Sequence, residues 1–292
     1  MADSVGLAVA VMESPGLKRL QAVEFVRPMR GGSQPWLLRC EDGSYYVVKF
    51  RDNPQHVRVL ANEMLAGLLA QFIGLPTATP AYIEVADALA DSTRNAAGPP
   101  VHTSCVPTGP SSGFSSGLHF GSRFPGNPAE TLAVEFLPDR ILRAVQNLRE
   151  AFLGALVFDK WTCNCDGRQM VFYRQPSGRG RGYTACLIDH GFCFNDGEWS
   201  FPDSAIRSLY PRRLVYESVR SVESFDPFLS RIENLKEAEL AACAREIPPD
   251  WCDGEPAGPA RLMETLYLRR RKLRQALVDV KNSDLRPFPN WK

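Results

Sequence analysis

Short apolar runs alternate with turn-forming residues in the first fifty positions of the chain. Residues 21–27 and 36–40 are rich in branched and aromatic side chains and are separated by the turn sequence MRGGSQP, which predicts two strands. An Asp-Gly turn leads into residues 44–50, whose strict alternation predicts a third strand with Lys49 on the face opposite Val48. The pattern predicts a three-stranded antiparallel meander.

The pattern then changes from strand to helix. Residues 55–73 carry apolar side chains at helical spacing, and Gly74 with Pro76 ends this helix. Residues 80–85 predict another strand. Residues 91–128 contain many Gly, Ser and Pro residues with little periodicity, so they predict a long loop.

The second half of the chain is predicted to be mainly helical, with a hairpin inserted in it. Residues 131–136 predict a connecting strand, residues 140–157 predict an amphipathic helix, and residues 170–174 and 183–189 predict the two hairpin strands. Further helical segments are predicted near 203–222, 227–235, 236–246 and 258–280. This order favours a two-lobed α+β fold with a nucleotide cleft between the lobes.

Composition and charge exclude several classes of function. The formal net charge of +1 argues against a protein that mainly coats nucleic acid or anionic membrane, because such binding needs many unpaired Lys and Arg side chains. The N-terminus lacks the features of a secretory signal, and no apolar run approaches the length of a membrane span. We therefore expect a cytoplasmic protein whose eight cysteines are reduced thiols.

Three features of the N-terminal half could together form a phosphate-binding site. Lys49 lies on an apolar strand, Glu63 lies in the following apolar helix, and Gly31-Gly32-Ser33 forms the first strand turn. Binding of a nucleoside triphosphate requires a cation for the phosphates, a carboxylate that holds this cation, and backbone N–H groups such as a glycine turn exposes. The simpler alternatives are a solvated lysine, a solvated glutamate and a turn with a purely conformational role.

Two acidic motifs bracket the predicted hairpin. FDKWTCNCDGRQ places polar residues between an apolar helix and an apolar strand, and CLIDHG places Asp189 at the end of a buried strand. Carboxylates at opposite ends of one hairpin can converge, with Asp166 orienting an acceptor hydroxyl and Asp189 binding magnesium. In the alternative interpretation Asp159 pairs locally with Arg168, and Asp189 belongs to a simple turn.

The motifs together resemble one known family. The succession VVKF, NEMLAGLLAQFIGLP, AVEFLPD, FDKWTCNCDGRQ and CLIDHG is similar to the HipA-like kinases over roughly residues 20–200. The resemblance implies a bilobal protein-kinase-like fold that binds ATP and Mg²⁺. The N-terminal lobe, with an antiparallel sheet, would cover residues 1–134, and the mainly helical C-terminal lobe would cover residues 135–292.

The resemblance also assigns roles to individual residues. Lys49 matches the phosphate-binding lysine and Glu63 its helical partner. Asp166 matches the catalytic aspartate in the Asn-x-Asp pattern that includes Asn164, and Asp189 matches the magnesium ligand. The predicted nucleotide-binding set is completed by the glycine turn and the hinge: Gly31, Gly32, Ser33, Glu135, Phe136 and Leu137.

One position departs from the family pattern. Related kinases have an asparagine metal ligand five residues after the catalytic aspartate, where this chain has Val171. Asn164 or Gln169 could supply the missing oxygen ligand. Asp159 has Asn164 five residues after it, so Asp159 as the catalytic aspartate is a second alignment of the motif; Asp166 is preferred because it directly precedes the hairpin strand.

The sequence therefore predicts a kinase that transfers the γ-phosphoryl group of ATP to a hydroxyl, with a protein Ser or Thr as the favoured acceptor. Two alternatives keep the fold: a catalytically inactive nucleotide-binding module, and a nucleotidyltransferase. A zinc site around Cys163, Cys165, Cys186 and Cys193 is a weaker hypothesis. The sequence does not identify the acceptor or the oligomeric state, and neither nucleic acid nor membrane is an expected partner.

Overall fold

The N-terminal lobe is built around a small closed barrel. The computed structural model describes residues 17–52, 54–96, 115–174 and 182–292. The barrel order is β1-β2-β3-β5-β4, in which β4 is parallel to β1 and all other pairs are antiparallel. Its strands are β1 (Arg19–Pro28), β2 (Trp36–Cys40), β3 (Tyr45–Lys49), β4 (Pro80–Val85) and β5 (Gly117–Arg123). The predicted meander is confirmed as β1 to β3.

The predicted loop over residues 91–128 is wrong where the structure describes it. Helix α2 (Asp87–Ala96) runs into its start and β5 lies near its end, while residues 97–114 lie outside the described residues. The sequence of β5, GLHFGSR, has glycines that suggest turns, but the strand is held between β3 and β4. A Cβ at Gly121 would lie 2.5 Å from Ile83 Cγ1, so the packing of the barrel requires glycine at this position. The same glycine made the segment resemble a turn in the sequence.

The central helix α1 (Val59–Phe72) joins the two lobes. Its first twelve residues are all buried, because it packs on β4 and β5 on one side and against the C-terminal lobe on the other. A helix that is apolar all round belongs in the centre of a protein. The helix begins four residues later than the sequence pattern predicts, because the segment before it forms turns.

The C-terminal lobe contains a three-stranded antiparallel sheet of β6 (Leu132–Val134), β7 (Gln169–Arg174) and β8 (Thr184–Ile188). The two hairpin strands lie where the sequence places them, and residues 175–181 of the predicted turn are outside the described part of the chain.

The helix predicted over residues 140–157 is two helices, α3 (Asp139–Leu142) and α4 (Leu148–Thr162). Between them, Asn147 donates its side-chain N–H to the carbonyl of Ala185 and accepts that residue's backbone N–H, both at 2.8 Å. The break therefore fastens the start of α4 to β8.

Four further α-helices form in the described part of the C-terminal lobe, and one predicted helix does not. The helices are α5 (Phe228–Glu233), α6 (Glu237–Arg245), α7 (Gly258–Arg269) and α8 (Leu273–Asn282). The helix predicted near residues 203–222 is wrong, because short 3₁₀ helices over Arg213–Tyr216 and Val222–Phe225 form there and no α-helix does. The carbonyls of Ser204, Ala205 and Arg207 accept hydrogen bonds from the Lys160 ammonium, and Pro211 interrupts the segment, so the backbone bonding of a regular helix is not available.

The cysteines and the helices bear on two further expectations from the sequence. The seven cysteines in the described part of the chain are free thiols, and all except Cys165 are buried. No helix in the same residues combines the length and apolar character that crossing a bilayer demands.

Candidate active site

A buried lysine and two carboxylates meet where β3, α1 and β8 converge. Lys49 Nζ contacts Glu63 Oε1 and lies 2.8 Å from Asp189 Oδ1. Lys49 and Glu63 are almost fully buried, whereas about a fifth of the Asp189 side chain is exposed. The structure thus brings together three residues that the sequence separates by 140 positions.

The electrostatics of this cluster favour a charged lysine. Burial alone would lower the pKa of Lys49, but the charges of Glu63 and Asp189 outweigh it and raise that pKa. Burial opposes ionisation of Asp189 as well, yet Lys49 holds the pKa of Asp189 below its usual value. Burial raises the pKa of Glu63, against the attraction of Lys49. Two carboxylates against one ammonium give the cluster an excess of acidic groups.

The glycine turn lies at the same end of the barrel as Lys49. Trp36, directly after the turn, pairs with Val48, directly before Lys49. Gly31 has φ = +142°, a backbone conformation that glycine adopts without strain. Ser33 is buried in this turn. The turn and the lysine are therefore neighbours along one barrel edge.

Asp166 lies on the exposed loop between α4 and β7. Its carboxylate accepts the backbone N–H of Gly167 at 2.7 Å. Asn164 is buried, and its side-chain oxygen accepts the backbone N–H of Asp166 at 3.2 Å. Asp166 is thus accessible, as a group acting on a substrate must be. Asn164 holds its backbone in place through this hydrogen bond.

Asp159 has the opposite environment. Its side chain is fully buried and pairs with Arg168, whose Nε donates to Asp159 Oδ2 at 3.0 Å and whose Nη2 contacts Oδ1. Asn164 Nδ2 donates to Asp159 Oδ1 at 3.2 Å. This geometry favours the local pairing with Arg168 that the sequence left open, because both oxygens of the buried Asp159 carboxylate are already bonded within the protein.

Arg168 links the two acidic motifs. Its Nη1 donates to the carbonyl of Ile188 at 3.0 Å, directly before Asp189, and lies 3.4 Å from His190 Nδ1. His190 Nε2 lies 2.9 Å from Thr77 Oγ1. Burial, with the positive charge of Arg168, holds the pKa of His190 well below its usual value, so His190 is neutral.

Sequence reasoning missed Asn62, which fastens α1 to the segment after Asp189. Asn62 Nδ2 donates to the carbonyls of Gly191, Cys193 and Asp196 at 2.8, 3.0 and 2.8 Å. Its Oδ1 accepts the indole N–H of Trp199 at 2.7 Å. An asparagine inside an otherwise apolar buried helix was the available signal, because a buried amide needs partners.

Comparison with known proteins decides the family. A family model described as "HipA-like kinase" matches residues 22–280. The chain belongs to the HipA-like kinase family. The resemblance drawn from the sequence motifs is confirmed, and so is the bilobal kinase-like fold, with a barrel lobe and a mainly helical lobe.

Several solved kinases are similar to this HipA-like kinase at low identity. The crystal structure of the Helicobacter pylori proinflammatory kinase CtkA shares 11% identity with a TM-score of 0.49, covering 88% of this chain and 98% of that one. The Golgi casein kinase shares 11% identity with a TM-score of 0.45, covering 91% and 74%. Its structure with Mn/ADP bound gives 11%, a TM-score of 0.44, and 92% and 74%. No curated protein matches the chain.

The predicted hinge of the HipA-like kinase follows β6. Glu135 and Phe136 are exposed, and Leu137 is buried. Arg212 donates to the Leu137 carbonyl at 2.6 Å, and its guanidinium lies 5.0 Å from the centre of the Phe136 ring. The 135–137 backbone is thus held by the C-terminal lobe, and its adenine contact stays a prediction.

The residues near Asp189 suit a divalent cation. The cluster has two carboxylates for one lysine, and hard cations prefer carboxylate and amide oxygens. Gln169 is exposed and pairs in register with Ile188, one residue before Asp189. The side-chain amide of Asn164 is hydrogen-bonded to Asp159 and Asp166. Gln169 is therefore the more accessible of the two predicted amide ligands. Within the described residues, no group of three or more His, Cys, Asp or Glu side chains is arranged to hold a metal by itself.

A Gly191→Ala change is expected to lower the free energy of unfolding by about 1–3 kcal/mol, because the added methyl group overpacks a tight contact. Its Cβ would lie 2.8 Å from Val59 Cγ2 and 3.4 Å from Glu63 Oε1. Thermal denaturation measures the effect. The control is Gly167→Ala, at an exposed site with no atom within 4 Å of the added Cβ. Equal stabilities for the two variants would contradict the close packing of α1 on this segment.

Proposed function

We propose that this HipA-like kinase transfers the γ-phosphoryl group of ATP to a hydroxyl acceptor, with Mg²⁺ as the metal. The observation that supports the proposal most is the convergence of Lys49, Glu63 and Asp189, which places a charged ammonium beside a partly exposed carboxylate. A cation for the phosphates and a carboxylate for the metal are the main requirements of phosphoryl transfer.

Each residue has a distinct task in this proposal. Glu63 fixes the Lys49 ammonium, which would bind the nucleotide phosphates, and the Gly31-Gly32-Ser33 turn would offer backbone N–H groups to them. Asp189 and Gln169 would hold Mg²⁺, which neutralises charge on the transferring group when bound. Asp166 would accept the proton of the acceptor hydroxyl, since it is exposed on the adjacent loop.

A protein Ser or Thr is the proposed acceptor, by analogy with the family, and the cytoplasm is the proposed location. Val171 favours a second candidate, a catalytically inactive nucleotide-binding module, because the usual second metal ligand is absent at that position. A nucleotidyltransferase is the third candidate. Intact mass spectrometry after incubation with Mg²⁺ and ATP separates them, since phosphate adducts, AMP adducts and no adduct have different masses.

Binding of ATP with Mg²⁺ is expected to raise Tm by about 5 °C at a ligand concentration 100-fold above Kd. The rise should be lost in Asp189→Asn, because an amide replaces the carboxylate that the metal needs. Asn can still accept a hydrogen bond from Lys49, so the fold should tolerate the change. Thermal denaturation with ATP alone, and with ATP and Mg²⁺, measures both effects.

Asp284→Asn is the control for this experiment, since Asp284 is an exposed carboxylate near the C-terminus. It should keep the full rise in Tm. The proposal is wrong if wild type shows no Mg²⁺-dependent rise, or if Asp189→Asn retains it.

A further inference from the structure

A cavity of about 330 Å³ lies in the C-terminal lobe beside the start of the 163–168 loop. Its walls are the end of α4 with the start of that loop, residues 202–208, and the junction of α7 with α8. Neither Lys49 nor Asp189 lines it. Its volume falls within the range of small-molecule sites in proteins.

A buried lysine forms one wall of this cavity. The Lys160 ammonium donates to the carbonyls of Ser204 and Ala205 at 2.9 and 3.1 Å, and to that of Arg207 at 2.5 Å. All three ammonium protons are therefore used by neutral carbonyls, and the positive charge has no carboxylate bonded to it in the part of the chain that is described. Burial lowers the pKa of Lys160 to about 8, although the nearby charges of Asp159 and Asp203 partly offset that effect.

The charges around the cavity are unbalanced toward positive. Two of its three carboxylates are already neutralised, Asp159 by Arg168 and Asp203 by Arg269. Asp279 accepts a hydrogen bond from Gln275. Two exposed cations at the cavity, Arg207 and Lys272, have no salt bridge among the described residues. Four cations and three carboxylates line the cavity, an excess of one positive charge, and Arg168 behind the wall neutralises one of the carboxylates.

Part of the remaining lining is apolar. Pro202, Ala205, Leu273 and Ala276 contribute to the wall, so the cavity offers an apolar surface beside its cations. We propose that this cavity binds a small organic anion, a phosphate monoester or a carboxylate, with Arg207 and Lys272 holding the anionic group and the apolar wall holding the organic part.

The site also contacts the loop that carries Asp166. The Ser208 hydroxyl donates to the Asn164 carbonyl, and Cys163 Sγ donates to the Pro202 carbonyl at 3.3 Å. A ligand that orders residues 202–208 would therefore brace the start of the 163–168 loop. The proposal does not depend on nucleotide binding, and its test uses neither ATP nor turnover.

Thermal denaturation of the full chain with phenyl phosphate and with benzoate tests the site, at ionic strength held constant with NaCl because salt screens exposed charges. The two probes share an aromatic ring and differ in the anion, so they distinguish a phosphate site from a carboxylate site. We expect at least one probe to raise Tm by about 2 °C or more. The rise should be lost in the Arg207→Gln/Lys272→Gln double variant and reduced in each single variant.

Arg271→Gln is the matched control, because Arg271 is an exposed cation next to Lys272 that does not line the cavity. It should keep the full rise. The proposal is overturned if neither probe raises Tm in wild type. It is also overturned if the double variant keeps the rise, which would place the anion elsewhere, including the nucleotide site, or if Arg271→Gln loses it equally, which would indicate general charge attraction only.

Discussion

Replacing Asp159 by asparagine is expected to lower the free energy of unfolding by about 3–5 kcal/mol, because it leaves a buried arginine without its counter-charge. Asp159 and Arg168 are the most deeply buried ion pair among the described residues, with side chains 0% and 1% exposed. The loss corresponds to a fall of about 10 °C in Tm. Thermal and urea denaturation of the purified variant measure it.

Asp166→Asn is the matched control for Asp159→Asn, since it makes the same chemical change seven residues along the chain at an exposed position. Its Tm should stay within about 1 °C of wild type, as for most surface substitutions. In the proposed reaction it should lower kcat about 100- to 10,000-fold, because it removes the group that accepts the acceptor proton.

The pair of variants also decides between the two alignments of the catalytic motif. If Asp159 were the catalytic residue, Asp159→Asn would reduce kcat in a protein of unchanged stability, and Asp166→Asn would retain activity. That outcome would contradict the structural role assigned to the buried pair. The geometry favours Asp166, because both oxygens of the buried Asp159 carboxylate are already bonded to Arg168 and Asn164.

The sequence predicted the parts of the site that depend on local pattern. Lys49 on a strand, Glu63 in the next helix and Asp189 after a buried strand each stand out against apolar neighbours, and their meeting follows from the order of the elements. The β5 strand could not be found in this way, because its barrel neighbours require glycine where a strand pattern would have a branched residue. Pairing with distant strands determines its structure, and local propensity does not show that.

The errors in the C-terminal lobe have a similar origin. Residues 203–222 have enough apolar positions to suggest a helix, but their carbonyls bond to the side chain of Lys160. Residues 140–157 are divided by Asn147, whose side chain bonds to Ala185 on a strand. In the first segment Lys160 of α4 takes carbonyls that a helix would use, and in the second the segment's own Asn147 bonds to a strand. Periodicity contains no information about either contact.

Replacing Asn62 by leucine is expected to lower the free energy of unfolding by about 3–4 kcal/mol, because three backbone carbonyls and the Trp199 indole N–H, all buried or partly buried, lose their bond to the amide. Leucine has a similar volume and suits a helix, so the loss would come from the polar contacts. The two amide protons of Asn62 serve three carbonyls, so at least one is shared. Thermal denaturation measures the stability change.

A second measurement tests whether Asn62 positions the site as well as stabilising the fold. Amide hydrogen exchange in residues 190–199 should become faster in Asn62→Leu, since the segment after Asp189 loses its attachment to α1. The Mg²⁺-dependent rise in Tm with ATP should also shrink, because Glu63, next to Asn62, would hold Lys49 less firmly.

Trp199→Phe provides the graded control for Asn62→Leu. It removes the one indole donor to Asn62 Oδ1 and leaves the three carbonyl contacts in place. We expect a loss of about 1–2 kcal/mol and little change in exchange over residues 190–193. If Asn62→Leu lowers stability but leaves both exchange and the nucleotide-dependent rise unchanged, Asn62 is only a packing residue. If both respond, this one buried amide couples the helix that carries Glu63 to the segment that follows Asp189, and the geometry of the phosphate-binding cluster depends on it.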